Sequence, residues 1–285
     1  MTLYHVIIAL LFRSISFAFH YIIFLLILNN SISLGCIVNL VKLLGNKSLK
    51  KPPLCIITGL GEGTGGHTAK RFANAGYRVA MLARTKERLT IYERELKGSK
   101  GYECDVANLD LLKETCERIK KEMGHPQILI HNAVKGNFEK LLEGKPEWLE
   151  ENFRINTTSL MYLVHAFIPN MVESKKGVII VTGNTAAKRG VANTPYFAPT
   201  KAAQRILAQS LAKDFGPKGI HVAYLTVDAS INTPWTRNRI KKQINQPDII
   251  FTQPEDIADE IFHIAHQKRS AWSFDVEIRP DIEHW

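Results

Sequence analysis

The feature that most constrains this chain is a glycine-rich turn set between two segments of different period. Leu54 to Ile57 is a short apolar run that leads into Thr58-Gly59-Leu60-Gly61-Glu62-Gly63-Thr64-Gly65-Gly66, and an amphipathic segment then continues through Ala75. The pattern reads as strand, tight turn, helix. Glycines at such a turn let the backbone come close to a pyrophosphate. The helix that follows offers free N–H groups and the positive end of its dipole. Flexible turns collect glycine too, so the setting between a strand and a helix is what gives the motif its meaning.

A chain of 285 residues with 45% hydrophobic content can bury one large core, which predicts one globular domain plus an extension. Cys36, Cys55, Cys104 and Cys116 lie far apart with no paired spacing. They read as buried thiols in a reducing compartment, and neither a zinc site nor a disulfide framework is expected. His125, His131, His221 and His263 show no metal-ligand spacing either. The formal net charge of +10 raises nucleic acid as a partner. The basic residues are scattered, however, and no stripe of them alternates with aromatics, which argues against it.

The N-terminus has a different composition. Val6 to Leu28 is nearly all apolar, broken by Arg13, Ser14, Ser16 and His20, and it reaches the roughly 20 residues that a membrane span needs. A cleaved signal peptide competes with this reading, but the run is long for one and no small-residue cleavage site follows. Leu34 to Leu44, with Asn39 and Lys42, looks interfacial, and a lipid-lying hairpin is the alternative to a span. Lys42, Lys47, Lys50 and Lys51 follow the apolar run, so the positive-inside tendency puts the main domain on the cytosolic side. The sequons at Asn29, Asn46 and Asn156 then read as chance matches. The expected organisation is a membrane anchor with its juxtamembrane segment over 1–46 and a nucleotide-binding domain over 47–285.

Beyond the glycine turn the landmarks recur in a recognisable order. Thr58, Gly59, Gly63 and Gly65 fit a T-G-x-x-x-G-x-G turn; Asp105-Val106 follows a third strand and Asn132-Ala133 a fourth; Asn156 lies in a long helix, Lys201 opens another, and Thr233 follows a sixth strand. In these residues the chain, from Leu54 onward, resembles the short-chain dehydrogenase/reductases. Val134 departs from the glycine usual after Asn-Ala. The resemblance implies an α/β fold of Rossmann type, a doubly wound parallel sheet with helices on both faces, often assembled into dimers or tetramers. It also implies that Asp105 meets the adenine, that Asn132 lines the adenosine side, that Lys201 holds the nicotinamide ribose, and that Thr233 belongs to the cofactor site.

Charge separates the two dinucleotides. The second strand, Arg78 to Leu82, ends in Ala83-Arg84-Thr85, where a carboxylate would favour the ribose hydroxyls of NAD. A guanidinium instead matches a phosphate through paired donors, so Arg84 is expected to hold the 2′-phosphate of NADP. A solvated arginine at a strand end is the alternative.

The resemblance departs at the catalytic centre. Family members place a proton-exchanging tyrosine four residues before the lysine and a serine thirteen before that tyrosine. Here those positions read Phe197 and Asn184, with Tyr196 one step off and Lys201 and Asn156 in place. Asn184 can still donate a hydrogen bond to a substrate carbonyl. Three readings follow. Tyr196 replaces the acid, although one residue along a helix turns a side chain by roughly 100°; or the proton comes from water or Thr185, which suits an activated double bond or a quinone; or the chain is a tethered NADP-binding sensor or scaffold with little or no catalysis. The segment from Thr233 to Pro254 carries Arg237, Arg239, Lys241 and Lys242 and then Ile249-Ile250-Phe251, a mixture that suits an amphipathic or acidic lipid-like small molecule and equally a solvated helix face. Pro254 to His266 reads as a helix and Ser273 to Ile278 as a last strand.

Overall fold

The computed structural model describes residues 51–241 and 251–282. The apolar runs Val6–Leu28 and Leu34–Leu44, Cys36 and the segment 242–250 lie outside the described residues. Among the described residues no helix is long and apolar enough to cross a membrane. Pro52–Trp285 forms one compact unit.

Strand and helix alternate from the first element. The order is β1 (Leu54–Thr58), α1 (Thr64–Asn74), β2 (Arg78–Ala83), α2 (Lys86–Glu95), β3 (Lys100–Glu103), α3 (Leu109–Met123), β4 (Ile128–His131) and α4 (Glu147–Phe153). Next come α5 (Ser159–Ser174), β5 (Gly177–Asn184), α6 (Ala198–Phe215), β6 (Ile220–Val227), β7 (Ser230–Ile231), α7 (Pro234–Lys241), β8 (Phe251–Thr252), α8 (Pro254–Ala265) and β9 (Asp275–Ile278). Seven strands pair in the order β3-β2-β1-β4-β5-β6-β9, every neighbour parallel. This is the doubly wound sheet that the sequence predicts. β7 and β8 make a separate two-stranded pair.

The inner strands β1, β2, β4, β5 and β6 are largely apolar because both faces are covered, whereas the edge strands β3 and β9 carry charged residues. Alternate residues of β1 enter different cores: Leu54 and Ile56 pack with residues of α3, α5 and α6, while Cys55 and Ile57 pack with residues of α1, α2 and α8. α1 and α8 meet around Phe72, whose ring lies 5.1 Å from that of Phe262 and 5.2 Å from that of Tyr77, both edge-on. Cys55, Cys104 and Cys116 are free and buried, as expected for structural thiols, and burial pushes the Cys116 thiol up to about 12.

The sequence reading needs small corrections. β1 and β2 each run one residue further than expected, and β9 starts at Asp275 rather than Ser273. Asn156 does not lie in a regular α-helix: Arg154–Thr158 is a π-helical turn joining α4 to α5. Its Nδ2 donates to the carbonyl of Lys135 and to Thr200 Oγ1, both at 2.8 Å, and its Oδ1 accepts from the Lys135 N–H at 2.9 Å. A single wide turn of this kind re-aims one side chain without ending the helix.

Candidate active site

Strand order reverses between β1 and β4, and the crevice at such a switch point is where open α/β sheets bind ligands. A cavity of about 480 Å³ opens there. Of the residues expected to bind a dinucleotide, Gly59, Gly63, Gly65, Arg84, Asp105, Asn132 and Thr233 all line it. Thr58 and Lys201 do not. Thr58 is fully buried, and its Oγ1 accepts the N–H groups of Asn132 and Ala133, each at 3.2 Å, which ties the ends of β1 and β4 together. It shapes the turn rather than touching a ligand.

The turn needs its glycines for close approach. Gly59 has φ +71°, and a Cβ there would lie 2.7 Å from Ala133 Cα; a Cβ on Gly65 would lie 2.4 Å from the Gly59 carbonyl oxygen. Asn132 Nδ2 donates to that same carbonyl at 3.0 Å, and its Oδ1 accepts from Thr182 Oγ1 at 3.1 Å, so one side chain joins the turn, β4 and β5. Asp105 folds its own loop, one carboxylate oxygen accepting the Ala107 N–H at 3.0 Å. Thr233 caps α7 by accepting the Thr236 N–H at 3.1 Å.

The cavity suits a pyrophosphate dinucleotide. Gly63 stands at the N-cap of α1 with no side-chain cap, and the first turn carries no acidic residue, which leaves the leading N–H groups to a ligand. Thr64 lines the cavity, and its buried hydroxyl has no protein partner among the described residues. Arg84 stands at the mouth and is exposed; Arg88, one helical turn on, is half-buried and lines the same wall. Sequence reasoning passed over Arg88, although its place four residues after Arg84 in the first turn of α2 was the available signal.

Lys201 is 1% exposed. Its Nζ donates to the Thr182 carbonyl at 3.1 Å and to Gln204 Oε1. Burial lowers its pKa to about 7. Gln204 is fixed in turn: its Nε2 donates to the Asn156 carbonyl at 2.5 Å and lies 3.2 Å from His131 Nδ1. Ser159 gives its hydroxyl hydrogen to the Ile155 carbonyl at 2.7 Å, so at its 2.8 Å contact with His131 the histidine Nε2 must be the donor. Nδ1 is therefore the acceptor and His131 is neutral; burial, reinforced by the Lys201 charge, lowers its pKa to about 3. Asn156 thus reaches Lys201 through its main-chain carbonyl and Gln204, not through its side chain. His131 and Gln204 were not singled out as functional in the sequence, because nothing local marks them.

A second cavity, of about 360 Å³, is lined by Phe138, Asn184, Thr185, Arg189, Phe197 and Asp228 among others. Asn184 Oδ1 accepts the Ala186 N–H at 3.2 Å, and its Nδ2 has no partner among the described residues. Phe197 is buried with its ring 5.1 Å from that of Phe138. Tyr196 is not part of this wall. It packs edge-on to Trp148 at 5.7 Å, and its hydroxyl donates to the Leu141 carbonyl at 2.6 Å. The structure therefore brings Asn184 and Phe197 to one cavity and leaves Tyr196 outside it. Among the described residues no cluster of side chains could hold a metal ion.

Known proteins place this arrangement. A family model described as short chain dehydrogenase matches residues 54–244. A 3-oxoacyl-(acyl-carrier-protein) reductase of Buchnera aphidicola is 28% identical over 220 residues, covering 75% of this chain and 90% of its own. A metagenomic short-chain oxidoreductase solved in complex with NADP has a TM-score of 0.69 at 24% identity, over 81% of this chain and 98% of that one. A short chain oxidoreductase of Pseudomonas aeruginosa, solved with NADPH and containing an atypical catalytic center, has a TM-score of 0.73 at 21% identity, over 82% and 97%. With the switch-point cavity, the glycine turn and the buried lysine in place, and the family model spanning most of the described fold, this chain belongs to the short chain dehydrogenase family.

Proposed function

We propose that the protein is an NADP(H)-dependent oxidoreductase that passes a hydride between the dinucleotide and a small organic molecule, and that its proton-transfer centre differs from the family's usual one. The observation that carries the cofactor choice is the pair of guanidiniums, Arg84 and Arg88, on the cavity wall beyond β2 where a carboxylate would favour NAD. A guanidinium pairs with a phosphate through two parallel donors, and two of them favour the dianionic 2′-phosphate. The α1 N-terminus and Thr64 would hold the pyrophosphate, Asp105 and Asn132 would line the adenosine side, and Lys201 and Thr233 would face the nicotinamide half. The NADP and NADPH bound in solved relatives of the same fold support this reading.

When bound, the dihydronicotinamide supplies the hydride. The chain's own residues do the rest. Asn184 Nδ2 is free to donate to a substrate carbonyl oxygen, so negative charge developing there meets a fixed dipole. Phe138 and Phe197 give the cavity an apolar wall, and Arg189 adds positive charge to its lining. An amphipathic acceptor with a carbonyl conjugated to a double bond fits these groups. Such an acceptor can shed the help of a general acid, typically worth about 10²- to 10⁴-fold, more readily than an isolated ketone can. In this reading the domain over 47–285 stands on the cytosolic side of a membrane, tethered through 1–46, and the exposed Met161 and Ile206 on α5 and α6 offer apolar surface for a homo-oligomer.

The experiment is calorimetric titration of NADPH and NADH into the protein. NADPH is expected to bind, and Arg84→Ala to weaken it about 10- to 100-fold while leaving NADH unchanged. Equal losses for both dinucleotides would remove Arg84 from phosphate recognition. The second reading, a sensor or scaffold, is favoured by the hydrocarbon at 197 together with the occupied hydroxyl of Tyr196. Tight NADPH binding with no oxidation by any conjugated acceptor would decide for it.

A further inference from the structure

Among the described residues two charged side chains line the second cavity, Arg189 and Asp228. Asp228 already has a counter-charge: it lies 3.7 Å from Arg279, which also pairs with Glu277, and Lys188 meets Glu277 as well. Two carboxylates and two cations thus balance one another across the ends of β6 and β9 and the turn after β5. Arg189, next in sequence to Lys188, takes no part in this group. Among the described residues its guanidinium has no ion pair, no hydrogen bond and no ring against it. The lining of the cavity is therefore left with one unmatched positive charge. Outside the lining, the Arg239 guanidinium of α7 sits 4.7 Å from the ring centre of Phe138 and 5.5 Å from that of Trp235. A ring face attracts a cation without neutralising it, so Arg239 adds to the positive field behind Phe138.

Arg189 and Asn184 belong to one small piece of structure. Asn184 ends β5, and its Oδ1 accepts the Ala186 N–H at 3.2 Å. Thr185–Ala187 then makes a single 3₁₀ turn, and the Thr185 carbonyl accepts the N–H groups of Lys188 at 2.9 Å and of Arg189 at 3.1 Å. These bonds fix the main chain from one residue to the other. The cavity that both side chains line is also walled by Phe138, Val191 and Phe197. Its lining thus holds a free amide donor for a carbonyl oxygen, apolar surface for a short carbon chain, and a planar cation with paired donors. A carboxylate matches that cation through two parallel N–H···O bonds. Its single charge is met by the one guanidinium of the lining, whereas a phosphate dianion would leave a charge over.

We propose that Arg189 binds a carboxylate of the substrate, and that the acceptor is a short oxo acid whose carbonyl meets Asn184 while its carboxylate pairs with Arg189. The proposal rests on the oxidoreductase reading above and adds the substrate's charge to it. A 4-oxo-2-enoate, in which a double bond joins the two groups, has the conjugation of that reading as well as the charge. A neutral acceptor of the same shape can fill the cavity, but it leaves the guanidinium to solvent. The difference between two such acceptors therefore reads the ion pair itself.

The test uses the full chain with NADPH and two acceptors of equal length, (E)-4-oxopent-2-enoate and the neutral (E)-hex-3-ene-2,5-dione, in which a methyl ketone replaces the carboxylate. Arg189→Gln is expected to lower kcat/KM for the acid about 10- to 100-fold more than for the dione, chiefly through KM. Arg189→Lys restores the charge without the paired donors and is expected to recover part of that loss. Equal losses for acid and dione, which a merely structural residue would give, overturn the proposal. NADPH bound but oxidised by neither acceptor overturns the oxidoreductase reading instead, and the carboxylate site is then decided by binding alone. For that, the saturated pair, 4-oxopentanoate and hexane-2,5-dione, is titrated into the NADP-bound protein. The acid is expected to bind about 10- to 100-fold more weakly to Arg189→Gln than to the wild type, and the dione to change by no more than about threefold. An acid that binds neither protein, or both within about threefold, overturns the carboxylate site on its own.

Discussion

Two buried bases, Lys201 and His131, make stability depend on pH in the same direction. The Lys201 pKa falls from its ordinary 10.5 to about 7 in the folded chain. Between those values the unfolded chain binds a proton that the folded chain does not. Stability therefore rises with pH from about 7 toward 10.5, at up to about 1.4 kcal/mol per unit. His131 falls from 6.5 to about 3, so as pH drops below 6.5 the unfolded chain charges its imidazole while the folded chain does not, and stability declines. Urea unfolding at pH 5 to 9 checks both. Between pH 6.5 and 5, where carboxylates of ordinary pKa have scarcely begun to titrate, a constant unfolding free energy would sink the His131 assignment. The loss of the upper slope in Lys201→Met would tie that slope to the lysine. Removing the bridge between them should cost more than one bond. Gln204→Leu leaves Lys201 Nζ, His131 Nδ1 and the Asn156 carbonyl each short of a partner in a fully buried site. The expected destabilisation is about 3 kcal/mol or more, read as a lower urea midpoint at unchanged slope.

At the scale of elements, the glycine turn and the π-helical turn position the two halves of the site, and they differ in how visible they are in sequence. The glycine turn is a local device. Gly59 has a positive φ, and Gly65 lies so close to the Gly59 carbonyl that a methyl group there must displace the backbone. Gly65→Ala should therefore open the turn and abolish NADPH binding while shifting the unfolding midpoint only modestly, since the turn surrounds a cavity rather than the core. Binding within threefold of wild type would show that the turn yields. Because a turn is encoded by adjacent residues, the sequence predicted it, and it placed Arg84 and Asn132 just beyond strands whose ends it set to within a residue at β1 and β2. Asn156 was legible as a residue that matters but not in its role: the sequence suggests a side chain in a helix, and the structure spends that side chain on Lys135 and Thr200. The His131–Ser159 and His131–Gln204 contacts bridge 28 and 73 residues of chain. No periodicity or spacing encodes such contacts, so they appear only once the sheet has formed. The fate of Tyr196 is of the same kind, since it is settled by Trp148 and Leu141 from the α4 region.

For the whole molecule, the alternation of apolar strands with amphipathic helices was enough to predict a doubly wound sheet, because parallel strands buried on both faces leave few other arrangements. The sheet order then fixes where a ligand sits, at the reversal between β1 and β4. The unit from Pro52 to Trp285 holds both described core clusters and every candidate site residue; for the residues before it the sequence alone carries a reading. We propose that they supply an address. Val6 to Leu28 is long enough to enter a bilayer, and Lys42, Lys47, Lys50 and Lys51 beyond it would stay on the cytosolic side. The full chain is then expected to sediment with membranes after an alkaline carbonate wash, whereas residues 52–285 should stay in the supernatant and bind NADPH with unchanged affinity. A full chain released by carbonate would mean that the apolar run lies on a surface or packs against protein. A shorter chain that loses NADPH would mean that the first residues complete the fold.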